Sequence, residues 1–347
     1  MSYKMHLRQN LWSIMCYNFF MKYVSCINIE SGLVFLNNAV KPCAPGKEIF
    51  FMSDYKGEFL DVDKYLEVRN KYRNMFRSGQ PPCQCQGCPC LQEKDWDDDN
   101  YVRYVGLNNH TKCSCNCVYC IFADDKKYWN NLKTYEIFPV LQDLAKRNLL
   151  KDTTIEVAGG ECTEYKNKEL ERILDFVLEN KFWLHLYSSG MFYSRAVETA
   201  LNKSVANIII SVDSGTKETY KKIKRVNAHD KVWKNIANYI KKANIDESTN
   251  KGYVILKYII FPGYNDTLAE CSAFIEKCKQ VNCKSIRISV EYDWFNENKG
   301  NIPLHIYELL DFFNKYTNDF KMEYIEDAVH LKNLHEAYKS EKKQPVI

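Results

Sequence analysis

Apolar positions beyond residue 100 follow two alternating periods. Strand-length apolar runs stand at 101–107, 153–158, 182–187, 206–212, 253–260 and 285–290. Between them apolar residues recur every three to four positions. That period predicts helices over 136–148, 169–180, 194–202, 217–242 (broken near Asn227) and 268–279, and Pro303 opens another that runs to about Lys315. The repeated strand–helix unit predicts an α/β fold, a curved parallel sheet open on one side, as a partial (β/α)6 TIM-like barrel. Beyond about Asp319 the pattern gives a short edge strand, an amphipathic helix carrying Val329, Leu331, Leu334 and Tyr338, and a frayed tail. The expected division is a cysteine-rich N-terminal domain over 1–98, a core over 99–320, and a C-terminal strand, helix and tail over 321–347.

Two strands carry a polar stripe. In IIISVD, Ser211 and Asp213 share one face, with Ile208, Ile210 and Val212 on the other. In SIRISVE, Arg287, Ser289 and Glu291 oppose Ile286, Ile288 and Val290. Helices cover the apolar face, so the polar stripes are expected to line the barrel interior. Buried charges there need partners. A zwitterionic, sugar-bearing cofactor would supply them, and a structural ion-pair network is the alternative. The remaining motifs also fall at the carboxyl ends of strands, where such folds build their sites. A cysteine loop follows the first strand, Gly159-Gly160-Glu161 the second, Ser188-Ser189-Gly190 the third and Asp213 the fourth.

The loop reads CSCNCVYC, with Cys113, Cys117 and Cys120 spaced C-x3-C-x2-C. Three thiolates can hold three irons of a [4Fe–4S] cube and leave the fourth iron free for chemistry. A structural zinc site with Cys115 as fourth ligand is the alternative, but a loop this short wraps poorly around one ion.

With Gly159-Gly160-Glu161 and ISVDSGTKETYKKIK (210–224), this spacing resembles the radical SAM superfamily over roughly residues 101–320. The resemblance implies an enzyme in which S-adenosylmethionine (SAM) chelates the open iron and is cleaved reductively. The resulting 5′-deoxyadenosyl radical takes a hydrogen atom from a substrate. It implies Cys113, Cys117 and Cys120 as cluster ligands and Gly159, Gly160 and Glu161 at the methionine amino group. Ser189, Ser211 and Asp213 would serve the ribose or carboxylate, Arg287 the carboxylate, and Tyr119 the adenine side. Where the family more often has proline, Cys162 stands after Glu161. Glu291 and Asp293, after the last strand, are the candidate catalytic groups for substrate or proton handling.

Fifteen cysteines are unusually many, and eight lie between Cys83 and Cys120. A chain this long does not need disulfides, so metal ligation in a reducing, cytoplasmic compartment is expected. Cys26, Cys43, Cys85 and Cys88 form a second candidate ligand set, an auxiliary iron–sulfur cluster or a zinc site. The set resembles SPASM and twitch extensions, except that it precedes the barrel. Cys16, Cys271, Cys278 and Cys283 read as small core residues. The apolar stretch 11–21 is too short to span a membrane and is broken by Asn18. A net charge of +4 is no nucleic-acid footprint, and the run Lys221, Lys222, Lys224, Arg225 reads as a solvated helix face. The expected partners are a peptide, sugar or other small-molecule substrate and an electron donor such as flavodoxin or ferredoxin. No membrane or nucleic acid is expected. The competing functions are a non-catalytic zinc or iron–sulfur scaffold and a nucleic-acid-modifying radical SAM enzyme.

Overall fold

Each apolar run beyond residue 100 forms a strand in the computed structural model. It describes residues 25–36, 39–43, 53–54, 61–82, 85, 88, 91–94, 96, 99–120, 122–123, 137–164, 168–298 and 301–325. The expected C-terminal helix, the stretch 11–21, Cys16, Cys83 and Cys90 lie outside the described residues. Where one boundary was expected at 98/99, the chain forms two compact units with interleaved ranges. One comprises 1–106 and 133–153, the other 107–132 and 154–347.

The first unit opens with β1 (Ser25–Cys26), α1 (Ile27–Ser31), β2 (Gly32–Phe35), β3 (Ala39–Lys41) and β4 (Ser53–Asp54). Then come α2 (Val62–Arg77) and β5 (Leu91–Gln92), which pairs antiparallel with β1. Strands β2, β3 and β4 are antiparallel neighbours. Helix α2 starts where the Asp61 carboxylate accepts the Asp63 backbone N–H at 2.9 Å, an N-cap. Arg69, Arg73 and Arg77, spaced four apart on one helix face, donate to the carbonyls of Asn100 (2.9 Å), Asp99 (2.7 Å) and Trp96 (2.8 Å). These three guanidinium groups fasten the backbone that leads into β6 (Val102–His110).

Helix α3 (Ile137–Lys146) and strand β7 (Leu150–Gly159) follow. The second unit continues through α4 (Lys168–Asn180), β8 (Trp183–Ser188), α5 (Arg195–Asn202), β9 (Ala206–Ser211), α6 (Lys217–Lys224) and α7 (His229–Lys242). It closes with β10 (Val254–Ile260), α8 (Leu268–Gln280), β11 (Ser285–Val290), α9 (Tyr292–Asn298), α10 (Leu304–Asn314) and β12 (Lys321–Tyr324). Neighbours from β7 through β12 pair in parallel in sequence order, so the barrel is partial and not closed. The edge strand expected after residue 319 is β12.

Side chains sort as the alternation predicts. Ile208, Ile210 and Val212 are fully buried on the helix side, as are Val197, Val232, Ile236 and Phe274 of the covering helices. On the inner side Ile209, Tyr253 and Ile255 pack with Tyr187 and Ile245. Cys271, Cys278 and Cys283 are buried core residues. Ser194, Thr216 and Thr267 cap α5, α6 and α8 through their hydroxyls. The expected break near Asn227 occurs at Arg225, whose left-handed φ of 55° ends α6. Among the described residues no helix is long and apolar enough to cross a membrane.

Candidate functional site

The cysteine loop is docked by its backbone. A helix ends with carbonyls that lack intrahelical partners. At the end of α6 the loop supplies them, Val118 N–H reaching Ile223 O and Asn116 N–H reaching Lys224 O, both at 3.0 Å. Cys113, Cys117 and Cys120 are partly exposed, whereas Cys115 is buried with its sulfur 3.1 Å from that of Met191. The Cys115 thiol hydrogen-bonds toward Cys113 and Cys117 and draws both below the ordinary thiol value, Cys117 to about 6. Burial raises Cys120. Among the described residues no three His, Cys, Asp or Glu side chains form a finished metal-holding set, the loop included. Two thiols held toward thiolate and a third beside them nevertheless fit the donor chemistry of an iron–sulfur centre.

Tyr119 anchors the same loop to the barrel. Its hydroxyl donates to Asp213 Oδ2 at 2.5 Å and accepts from Lys224 Nζ at 2.6 Å. Lys224 and Asp213 form an ion pair, with side chains 2% and 0% exposed. The other Asp213 oxygen accepts Ile259 N–H at 2.8 Å, and Asn265 Nδ2 donates to the Asp213 carbonyl at 2.9 Å. Burial opposes the Lys224 ammonium, yet Asp213, Tyr119 and Cys117 hold its pKa well above the ordinary value. Lys224 is therefore not part of a solvated face, unlike its exposed neighbours Lys221, Lys222 and Arg225.

Gly159 and Gly160 are set by close backbone approach. A Cβ on Gly159 would collide with His110 O and one on Gly160 with Lys112 O, and Gly159 also has φ +102°. Gly160 N–H donates to His110 O, and Glu161 N–H to Lys112 O at 2.7 Å, which ties this turn to the start of the cysteine loop. The fully buried Glu161 carboxylate accepts five hydrogen bonds. Oε1 takes Thr163 N–H (2.9 Å), Thr163 Oγ1 (2.5 Å) and Ser188 Oγ (2.7 Å). Oε2 takes Ser189 N–H (2.6 Å) and Ser189 Oγ. Cys162 is buried and donates to Tyr187 O at 3.1 Å.

A recess of about 200 Å³ opens beside Tyr119, lined by Lys257, Ile259, Ser289, Glu291 and Tyr292 among others. Glu291 accepts the N–H groups of Trp294 (2.7 Å) and Asp293 (3.3 Å) at the start of α9. Asp293 is exposed, and Tyr292 is 63% exposed. Arg287 donates to Glu323 Oε2 through Nε (2.9 Å) and Nη2 (2.6 Å), and through Nη1 to Tyr187 Oη at 3.2 Å. Ser211, half-buried, ends β9 in register with Lys257 of β10.

Protein groups thus partner the charges of the polar stripes. Asp213 has Lys224, Arg287 has Glu323, and Glu291 has the α9 amides. The recess brings Tyr119 and Glu291 together, with Asp213 behind the tyrosine hydroxyl; Glu161 gathers Ser188 and Ser189 into a separate group. Sequence reasoning missed Lys224, Lys257, Tyr292 and Thr163. A signal existed for Lys224, four residues beyond Tyr220 and adjacent to Ile223 on the buried side of α6.

Residues 108–290, more than half of the chain, match the family model described as the Radical SAM superfamily. No curated protein matches the chain. Streptococcus suis SuiB bound to precursor peptide SuiA is similar in structure at a TM-score of 0.50 and 11% identity, over 80% of this chain and 58% of that one. A radical SAM methyltransferase from Sphaerobacter thermophilus aligns at a TM-score of 0.43 and 13% identity, over 62% of this chain and 64% of that one. The protein named anSMEcpe, with bound AdoMet, aligns at 0.46 and 16%, over 62% and 61%. The chain spans a little over half the length of the SuiB structures it matches.

Proposed function

Since the chain belongs to the radical SAM superfamily, we propose that it is a hydrogen-abstracting enzyme acting on a peptide side chain, or on a sugar or small molecule of that size. The superfamily's cofactors are a [4Fe–4S] cluster and SAM. When bound, they supply a one-electron reductive cleavage that generates a carbon radical. Cys113, Cys117 and Cys120 would hold the cluster. Gly159 and Gly160 keep the backbone beside the loop clear of side chains, the Glu161 carboxylate fixes Ser188 and Ser189, and Asp213 with Lys224 fixes Tyr119. Ser211 and Arg287 lie on the inner stripes, where cofactor ribose and carboxylate groups would be met. The observation that carries the reading is the recess, which adjoins the loop through Tyr119 and opens at the carboxyl ends of β10 and β11.

Its size suits one side chain or ring rather than a polymer. Lys257, Ser289 and Glu291 offer polar contacts, and exposed Tyr292 at the rim gives a peptide something to lie against. Glu291 holds the first turn of α9, and Asp293 stands on that turn as the candidate proton-handling group. The electron would come from a flavodoxin- or ferredoxin-type donor in the cytoplasm, the compartment that keeps these thiols reduced. The test is anaerobic reduction of the reconstituted chain with SAM. Methionine and 5′-deoxyadenosine should form in equal amounts in wild type and fall to background in C113A/C117A/C120A. Deuterium carried from labelled peptides, but not labelled sugars, into 5′-deoxyadenosine would fix the substrate class. No cleavage in the iron-loaded wild type would refute the enzyme reading.

A further inference from the structure

We propose that Cys26, Cys43, Cys85 and Cys88 form a four-thiolate metal site in the first unit, separate from the loop cysteines. These residues come from three distant segments, the β1–α1 junction, the end of β3 and the stretch after α2. Cys26, Cys43 and Cys85, at 3%, 8% and 6% exposure, share one buried cluster with Ile29, Phe76 and Trp96. Cys88 joins them through a turn in which its N–H reaches Cys85 O at 3.1 Å. Cys85 lies within electrostatic reach of the other three, and Cys26 within reach of Cys88.

Three thiols in one buried cluster, with a fourth on the adjoining turn, offer a donor set for a thiophilic centre. One further feature points the same way. Lys41, also buried, places a cation near Cys43, where a divalent ion with four thiolates would carry net negative charge. Among the described residues no disulfide joins any of the four, and no three such side chains stand as a finished metal-holding set. The fitting centres are one zinc ion or one iron–sulfur cluster, which share this donor set and differ in what a metal count reads.

The experiment uses the full chain carrying C113A/C117A/C120A, so that the loop contributes nothing. After anaerobic purification and reconstitution, about one zinc per chain, or about four irons with matching sulfide, should remain. Adding C85A/C88A should remove it. Because that variant can fail to fold, the loop-triple protein is also stripped and titrated with cobalt(II), whose intense visible bands report a tetrahedral four-thiolate site. A loop-triple chain that takes up neither metal and shows no such bands overturns the proposal. So does metal retained after Cys85 and Cys88 are replaced, or a mass deficit showing that the four thiols are paired as disulfides. Failure of SAM cleavage in the wild type would leave this result unaffected.

Discussion

Lys224 shows how one residue changes meaning between sequence and structure. Among three neighbouring cations it reads as solvent-facing, yet its ammonium is enclosed with Asp213 and the Tyr119 hydroxyl. A buried pair is costly to split, because the survivor keeps its charge without compensation. K224M is therefore expected to destabilise the chain by about 3–5 kcal/mol in denaturant unfolding. The double variant K224M/D213N should recover much of that loss, since the amide leaves no stranded charge. Additive losses in the double-mutant cycle would show that the two groups do not act as a pair. Glu161 shifts in the same sense. The family pattern points its carboxylate at a ligand, while the structure surrounds it with five internal donors, two from nearby Thr163 and three from distant Ser188 and Ser189.

At the scale of elements, the strands and helices of the barrel were legible because each depends on local period, cap and breaker. Strands β6 to β11 and the helices between them fall within a few residues of the predicted ranges, including the break after α6. Helix α9 and the small strands of the first unit were not legible, being too short to show a period. The glycine turn after β7 was legible as a motif, but its reason is tertiary. G160A should cost roughly 1–3 kcal/mol by overpacking and weaken SAM binding to the reconstituted protein more than tenfold, because its Cβ would displace the Lys112 carbonyl. G263A is the control. Its Cβ meets nothing within 4 Å and it bears only the strain of φ +82°, so SAM binding should stay at the wild-type level. Equal binding losses in both variants would mean that collision at the cysteine loop is not the cause.

For the molecule as a whole, buried histidines set a dependence on acid. Burial holds His110, His185 and His229 below the ordinary histidine value, His185 down to about 4 with the Arg287 charge adding to the effect. His229 Nε2 accepts the Trp233 indole N–H at 3.0 Å, which also requires a neutral ring. The unfolded chain binds these protons near pH 6.5 and the folded chain does not. Stability should thus be complete above about pH 6.5 and fall toward pH 4, by about 3 kcal/mol for His185 alone. Urea midpoints across that window measure it, and H185L should flatten the slope; an unchanged slope would remove His185 from the account. The sequence by itself determined the order of strands and helices, the thiol spacing and the superfamily, because periods, caps and ligand spacings are properties of neighbouring residues. Only the tertiary structure decided that Lys224 is buried against Asp213, that Arg287 faces Glu323, and that Cys26, Cys43 and Cys85 share one buried cluster. Those pairings join residues far apart in the chain, and charge, burial and coordination act through space rather than along the backbone.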